Sequence, residues 1–465
     1  MPAGCAGNIL FPVNFVFIRW AVLCCAPLAG FAAPQFAVAP FTADVTVPLG
    51  HGMMGGLWKS KSIADPLFAK GVVITGGAKP VVFVSVDWCE LRNASFDRWR
   101  ESLAKAAGTT RERVLVSAVH QHEAPVADLE AQQLLKARGL KGSICDLAFH
   151  EKAVQRTAAA LRDSLRRPLG VTHVGIGQAK VEKIASNRRY VLPGGRVSFG
   201  RGSASGRNIL AAKAPEGTID PWLKTLTFWD GARPLVALTG YATHPMSYYR
   251  TGEVSADFPG MARAQRQKET PDCLQIYFSG ASGNVTAGKY NTGERKNRTV
   301  LANRLHVAMV KAWDNTKKHP LRLVQFRNAK VKLVPRNHSG FAAADFQSKL
   351  VKGGDPWQQC LAAMGLSWRQ RCERGQLVDV PAINLGVAQL LLLPGESYVE
   401  FQLAAQKMRP GQFIMVAGYG EGGTGYIPTE KHWREKDGNL ADWCWVHPGA
   451  EAVLLKAMRQ ALNPD

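Results

Sequence analysis

The sequence predicts an α/β fold in which mixed β-sheets are flanked by helices. Three observations predict it. Apolar runs of strand character alternate with amphipathic, helix-like segments along residues 34–465. The strand-like runs pass into Gly/Ser turns rather than long linkers. Several of those runs end in a single polar residue of a kind that does chemistry, where α/β folds commonly place ligands.

The elements follow in order. "NILFPVNFVFIRWAVLCCAPLAGFAAPQF" is apolar apart from Arg19 and carries small residues at Ala32 and Ala33, the pattern of a secretory signal peptide cleaved near Ala33. An uncleaved anchor is the alternative. Residues 34–465 are expected to form one domain, with a smaller lobe between about 320 and 380. "PVVFVSVD" (80–87) reads as a strand, and "SFDRWRESLAKAAG" (95–108) as a helix capped by Ser95. "RVLVSAVH" is a second strand. "FHEKAVQRTAAALRDSLRRP" (149–168) is an amphipathic helix stopped by Pro168. "LKTLTFWDGARPLVALTGYATHP" is a hairpin turning at Asp230-Gly231. "CLQIYFSGASGN" and "AQLLLLPGES" are strands running into turns, with "NRTVLANRLHVAMVKAW" a helix between them. No internal repeat or low-complexity tract is evident.

Composition narrows the function classes. With 46% hydrophobic and 20% charged residues in 465, the chain has the makings of a globular core. The net charge of +22 implies affinity for acidic surfaces such as anionic lipid. Lys and Arg are scattered, and no zinc-finger spacing, RNP-like motif or basic heptad accompanies them, so no nucleic-acid partner is expected. Of nine cysteines, Cys5, Cys24 and Cys25 would leave with the signal, and Cys360 with Cys372 is the expected local disulfide. No CxxC occurs, which argues against a cysteine-based zinc site.

The strand ends carry the candidate chemistry. "VLVSAVHQH" ends in His120 and His122, "LVALTGYATHP" in His244, and "QLLLLPGES" in Glu396. "LQIYFSGASGNVT" runs into Asn284 and Thr286, and "FIMVAGYGEGGTGY" into Tyr426. Histidines with one carboxylate suit zinc, which accepts imidazole nitrogen and carboxylate oxygen. On a strand, His120 and His122 would share a face, one free for a metal and the other for water or substrate. Taken singly, each of these residues is equally at home as a structural or exposed polar group.

The stretches "VVFVSVD", "VLVSAVHQHEAP", "SNRRY", "GTIDPWLKTLTF", "YATHP", "VSADFPG", "SGASGNVTAG", "LLLLPGES" and "GTGYIPT" resemble, in the same order, those of the neutral ceramidases. These are secreted zinc amidases that hydrolyse the N-acyl bond of ceramide. The resemblance spans about Val45 to Pro428 and implies the family's catalytic domain without its C-terminal β-sandwich. It implies one zinc ion per chain, held by His120, His244, Glu396 and Tyr426. It implies that His122 faces substrate and bound water and that Arg188 lies near the scissile group. Thr286 stands where the family has a serine, inside Gly283–Gly288, and completes the expected catalytic set. Two further departures are Glu123 in "HQHEAP", where the family has serine, and His432 with Trp433, where the family has tyrosines.

The expected function is an exported, periplasmic or secreted, zinc-dependent amidohydrolase acting on an amphiphilic N-acyl compound, with a ceramide-like lipid as leading substrate. Peripheral contact with an anionic membrane is part of that expectation, and the sequence leaves the oligomeric state open. The alternatives are a zinc esterase or amidase acting on another acylated envelope compound, and a non-catalytic binding protein that keeps the fold.

Overall fold

Strand Val81–Val86, helix Ala94–Ala107 and strand Val114–Ala118 make a parallel β–α–β unit, and the same connection recurs twice along the chain. The computed structural model describes residues 7–12 and 35–463. The expected signal segment, residues 1–33, lies outside the described residues except for 7–12, which have no regular secondary structure.

The first sheet contains β1 (Phe36–Asp44), β2 (Phe68–Thr75), β3 (Val81–Val86), β4 (Val114–Ala118) and β5 (Leu169–Val171) in the order β5-β1-β2-β3-β4. Only the β3–β4 pair is parallel. The second contains β6 (His173–Lys180), β7 (Trp222–Asp230), β8 (Arg233–Tyr241), β9 (Leu274–Ser279) and β10 (Lys317–Pro320) in the order β9-β8-β7-β6-β10, with only β8–β9 parallel. The third runs β11 (Gln325–Val331), β12 (Val378–Asn384), β13 (Ala388–Leu392), β14 (Phe413–Ala417), with only β13–β14 parallel.

Helices follow the same rhythm. In the first module α1 (Ala94–Ala107) crosses between the parallel strands and α2 (Leu147–Ser164) follows β4. In the second, α3 (Asp257–Glu269) crosses and α4 (Lys296–Asp314) follows β9. In the third, α5 (Pro356–Glu373) precedes β12, α6 (Val399–Met408) crosses, and α7 (Ala450–Leu462) follows β14. No repeat is visible in the sequence because what recurs is a pattern of burial. Strand β3 is buried at every position and reads as the unbroken apolar run typical of a covered parallel strand.

One apolar cluster joins the three parallel pairs. Phe83 and Leu115 come from the first sheet, Leu238, Ile276 and Phe278 from the second, and Leu390, Leu392 and Met415 from the third. Phe83 and Phe278 meet edge to face at 5.3 Å across the sheet boundary. Serine hydroxyls tie the sheets together. Ser85 donates to the Tyr277 carbonyl at 2.6 Å, Ser117 to Gly418 at 2.9 Å, and Ser279 to Val119 at 2.7 Å.

Three local expectations need correction. Ser95 is not the cap of α1: Asn93 takes that place at φ +51°, and the Ser95 hydroxyl pairs with His150 Nε2 at 2.7 Å. Cys360 and Cys372 both lie on α5, so twelve residues at 1.5 Å each set them about 18 Å apart, far beyond disulfide reach. Both are free thiols. Residues 320–380 form no separate lobe, since they supply β11, α5 and the start of β12 to the one compact unit Pro34–Asp465. Among the described residues no helix is long and apolar enough to cross a membrane.

At the carboxyl end of β3, Asp87 receives both guanidinium nitrogens of Arg263 from α3, at 2.6 and 2.7 Å, and this fully buried fork locks the first module to the second. Replacing one partner strands the other as a buried, uncompensated group. Asp87→Ala is therefore expected to cost about 3–5 kcal/mol of folding stability. Replacing the pair together by apolar residues should cost less than the single change, and urea titration of the variants reads both.

Candidate metal centre

The carboxyl ends of the three parallel pairs converge, and each delivers one residue. His120 follows β4, His244 follows β8, and Glu396 follows β13. Among the described residues their ligand atoms lie within 4.8 Å of one another, and all three side chains are buried. His120 Nε2 stands 3.1 Å from Glu396 Oε2, and His244 Nε2 stands 3.0 Å from the same oxygen.

Local backbone geometry makes this possible. Pairing between β3 and β4 extends past the strand end, with the Val119 amide on the Val86 carbonyl and the His120 amide on Trp88. His120 itself adopts φ +74°, a left-handed conformation that costs a β-carbon residue energy and that clusters at functional sites. This twist orients the two histidines. The simple strand alternation expected for His120 and His122 does not, because β4 ends at Ala118. Glu396 and Tyr426 are paired in register by a short parallel ladder, Glu396–Ser397 with Tyr426–Ile427. A β-carbon at Gly283 would collide with the Glu396 carbonyl, so this close approach requires glycine.

Hydrogen bonds fix the tautomers. His120 Nδ1 reaches the Cys89 carbonyl at 2.9 Å, and His244 Nδ1 reaches the Ser282 carbonyl at 2.8 Å. Each Nδ1 therefore holds its proton toward a carbonyl, and each Nε2 faces the carboxylate. Two lone pairs against one anionic oxygen repel unless a cation or a proton lies between them. Burial opposes charge on His120, but Cys89 and Glu396 beside it hold its proton well above the ordinary imidazole range. Burial, reinforced by Arg188, pushes His244 down to about 4, so it is neutral. Glu396 stays well below the usual carboxylate range against its own burial, held there by His120 and His244. Two imidazoles and a carboxylate, each histidine oriented by a backbone acceptor, are a donor set that fits zinc.

The other expected residues are placed as follows. Arg188 Nη1 donates to the Tyr426 hydroxyl at 2.8 Å and to Asn439 Oδ1 at 3.2 Å, while Nη2 lies 3.2 Å from His244 Nε2. Its neighbour Arg189 turns away to fork Glu435 at 2.6 and 2.7 Å. Tyr426 is thus adjacent to the cluster through Arg188, and burial pushes its phenol up. The His122 ring lies 5.2 Å from that of His120, and both its nitrogens are buried without a hydrogen-bond partner. Burial, with His120 and His244 nearby, pushes His122 well below the ordinary imidazole range. Thr286 is not joined to the cluster by a hydrogen bond. Its hydroxyl accepts from the Gly288 amide at 3.0 Å and donates to Gly202 at 3.4 Å, closing the turn.

Exposure separates two kinds of residue. His120, His244 and Glu396 are 1, 0 and 1% exposed, whereas His122, Arg188 and Tyr426 keep 8, 9 and 9%.

Other residues at the site escaped the sequence reading. Tyr419 stacks on His120 at 4.2 Å and bonds Ser282 Oγ at 2.8 Å. Its φ of +56° inside "GYGEGG" hides it among glycines. Glu90 lies 4.0 Å from His120 Nδ1, bound to Arg92 at 2.7 Å and to Trp443 Nε1 at 3.1 Å. Burial pushes this carboxyl up, opposed by Arg92. Only its position just past β3 marked it.

One zinc per chain is the expected stoichiometry. His120→Ala, His244→Ala and Glu396→Ala should each lower zinc affinity by more than the ~10- to 100-fold that losing an outer partner costs. A bound cation must displace the proton held on His120, so affinity weakens as pH falls, by about tenfold per unit while one proton is exchanged. Metal content after dialysis against graded chelator, at several pH values, measures both effects.

No family model and no curated protein matches the sequence. Solved structures match in fold. Neutral ceramidase from Pseudomonas aeruginosa aligns with a TM-score of 0.68 at 16% identity, over 93% of this chain and 74% of that one. A structure described as ceramidase complexed with C2 aligns with a TM-score of 0.69 at 15% identity, over 93% of this chain and 75% of that one. The likeness is one of architecture: mixed sheets flanked by helices and, among the described residues, no separate β-sandwich domain.

Proposed function

We propose that this chain is a zinc-dependent hydrolase that cleaves an N-acyl amide, with a ceramide-like amphiphilic lipid as leading substrate. The observation that carries the reading is the convergence of His120, His244 and Glu396 with both Nδ1 atoms committed to carbonyls. The fold shared with a protein described as neutral ceramidase supports the amide over other acyl bonds. An exported location and contact with anionic lipid rest on the signal-like residues 1–33 and the net charge of +22.

Bound at these residues, zinc supplies Lewis acidity and brings the pKa of water at the site toward 7. The chain's own groups do the rest. Arg188, permanently charged and aimed at the cluster, binds the amide carbonyl oxygen and stabilises the negative charge that develops there. The Tyr426 hydroxyl and Asn439 Oδ1 hold its Nη1 in position. His122 is neutral at pH 7, so one ring nitrogen accepts a proton from the attacking water and the imidazole delivers it to the leaving amine. Thr286 serves by shaping the turn whose Val285 carbonyl receives the His244 amide at 2.9 Å.

The zinc-loaded protein, given N-acylsphingosine and simple N-acyl amines, is expected to release free fatty acid, and chelation should abolish the release. Arg188→Lys keeps the charge but loses the two-nitrogen fork, so kcat/KM should fall about 10²- to 10³-fold with zinc content unchanged. Release from neither substrate by protein carrying one zinc would sink the amidase reading and leave a metal-binding protein of this fold.

A further inference from the structure

Beside the three strand-end residues lies a second set of donors, and it is softer. Cys89, just past β3, offers its sulfur within 4.8 Å of ring nitrogens of His120 and His122. Met54 Sδ lies 3.6 Å from Cys89 Sγ. The Cys89 side chain is fully buried and His122 is 8% exposed. One short segment sets all of them. His122 leads into Glu123-Ala124-Pro125, and the carbonyls there hold both sulfur residues. The Met54 amide donates to Ala124 at 3.0 Å and the Cys89 amide to Pro125 at 2.8 Å. Met54 is kept at φ +48°, which a non-glycine residue retains only where its surroundings over-determine it.

The neighbouring imidazoles differ in what they are free to do. His120 Nδ1 is committed to the Cys89 carbonyl at 2.9 Å, and its Nε2 faces Glu396. His122 has no hydrogen-bond partner on either ring nitrogen. Buried polar atoms are otherwise nearly always paired. A thiol against a thioether is by itself ordinary core packing. With an unpartnered, buried imidazole beside it, the pair becomes a donor set of one thiol, one thioether and one nitrogen.

Donor type then selects the ion. Two imidazoles and a carboxylate suit zinc, whereas thiolate and thioether together favour the softer Cu(I). Two sulfurs each about 2.3 Å from an ion, the distance a thiolate takes to zinc, stand about 3.7–4 Å apart at tetrahedral to trigonal angles. Cys89 Sγ and Met54 Sδ are already close to that separation. We propose that Cys89, Met54 and His122 bind one cuprous ion beside the zinc-binding corner, and that its capture of His122 switches hydrolysis off. Binding exchanges a proton for a cation. The thiol proton goes to solvent, lone pairs of the two sulfurs and one nitrogen form the new bonds, and no electron is transferred. The switch rests on the amidase reading, in which His122 moves the proton; the ion site does not.

The zinc-loaded full-length protein is titrated anaerobically with Cu(I) from its coloured bicinchoninate complex, whose bleaching reads the transfer. The other free cysteines are common to wild type and Cys89→Ser, so the difference between the two titrations counts this site. Wild type should take up one equivalent more than Cys89→Ser and keep its zinc. Met54→Leu preserves bulk and loses only the sulfur, and His122→Ala loses the nitrogen. Each should weaken that equivalent by more than the ~10- to 100-fold that losing an outer partner costs. X-ray absorption at the copper edge should show two sulfurs and one nitrogen, falling to one sulfur in Met54→Leu.

Hydrolysis of N-acylsphingosine is then followed with free Cu(I) buffered between the dissociation constants of wild type and Met54→Leu. Wild-type turnover should fall about tenfold at a free concentration ten times its dissociation constant, while Met54→Leu keeps its own copper-free rate. Equal copper uptake by wild type and Cys89→Ser, loss of zinc as copper enters, or an edge spectrum without nitrogen overturns the site. Should Cys89→Ser fail to fold, Met54→Leu and the edge spectrum decide. Full copper occupancy with turnover unchanged overturns the switch. If copper binds as expected and the copper-free protein cleaves no amide, the amidase reading fails and the site stands. If amide is cleaved and no such equivalent of copper is bound, the site fails and the amidase reading stands.

Discussion

At the carboxyl ends of the three parallel pairs, each sheet runs out of ladder just where the site begins, and the sheets satisfy one another. The Ala118 amide, from the first sheet, donates to the Tyr419 carbonyl beyond the third at 3.0 Å. The Gly418 amide, beyond the third, donates to Ser279 of the second at 2.9 Å. Ser279 closes the circuit through its hydroxyl to Val119 at 2.7 Å. A buried backbone group left unpaired costs about 1–3 kcal/mol, more than a made bond returns. The three ends are therefore held together by the cost of separating them, and His120, His244 and Glu396 are carried to one place as a consequence.

That convergence creates an electrostatic problem which defines the chemistry. Glu396 is a buried anion, Glu90 is a second buried carboxyl nearby, and the imidazoles have spent their Nδ1 protons on carbonyls. Arg188 and Arg92 supply positive charge at the margins, and the proton on His120 supplies it at the centre. A divalent cation held by His120, His244 and Glu396 in place of that proton would pair the carboxylate and leave the Nδ1 bonds intact. The least exposed residues form this corner, and His122, Arg188 and Tyr426 border it.

Much of this was legible in the sequence because strand ends advertise themselves. An apolar run followed by one histidine or glutamate is a local pattern, and "VLVSAVHQH", "YATHP" and "LLLLPGES" each show it within a dozen residues. What escaped was set by distance or by backbone. The threefold module is invisible because its strands share burial and not identity. Trp58 and Glu123 are 65 positions apart, with no periodicity to connect them. Tyr419 and His120 owe their placement to positive φ values, which composition does not reveal for residues other than glycine. Cys360 and Cys372 looked like partners only while the helix between them was not counted in ångströms.

The two halves of the site are built from different materials, and this bears on what can change in such a protein. The metal-binding corner is oriented by main-chain carbonyls at Cys89, Ser282 and Val285. A carbonyl acceptor asks only that the backbone follow a certain path, so the side chains there can vary while the tautomers stay fixed. The His122 flank is oriented by side chains, with Glu123 gripping Trp58 and Thr251. Exchange of one such residue would loosen those loops and leave the carbonyl contacts of the corner in place. The corner is thus fixed by the ends of three sheets, and the His122 flank by a few contacts between loops.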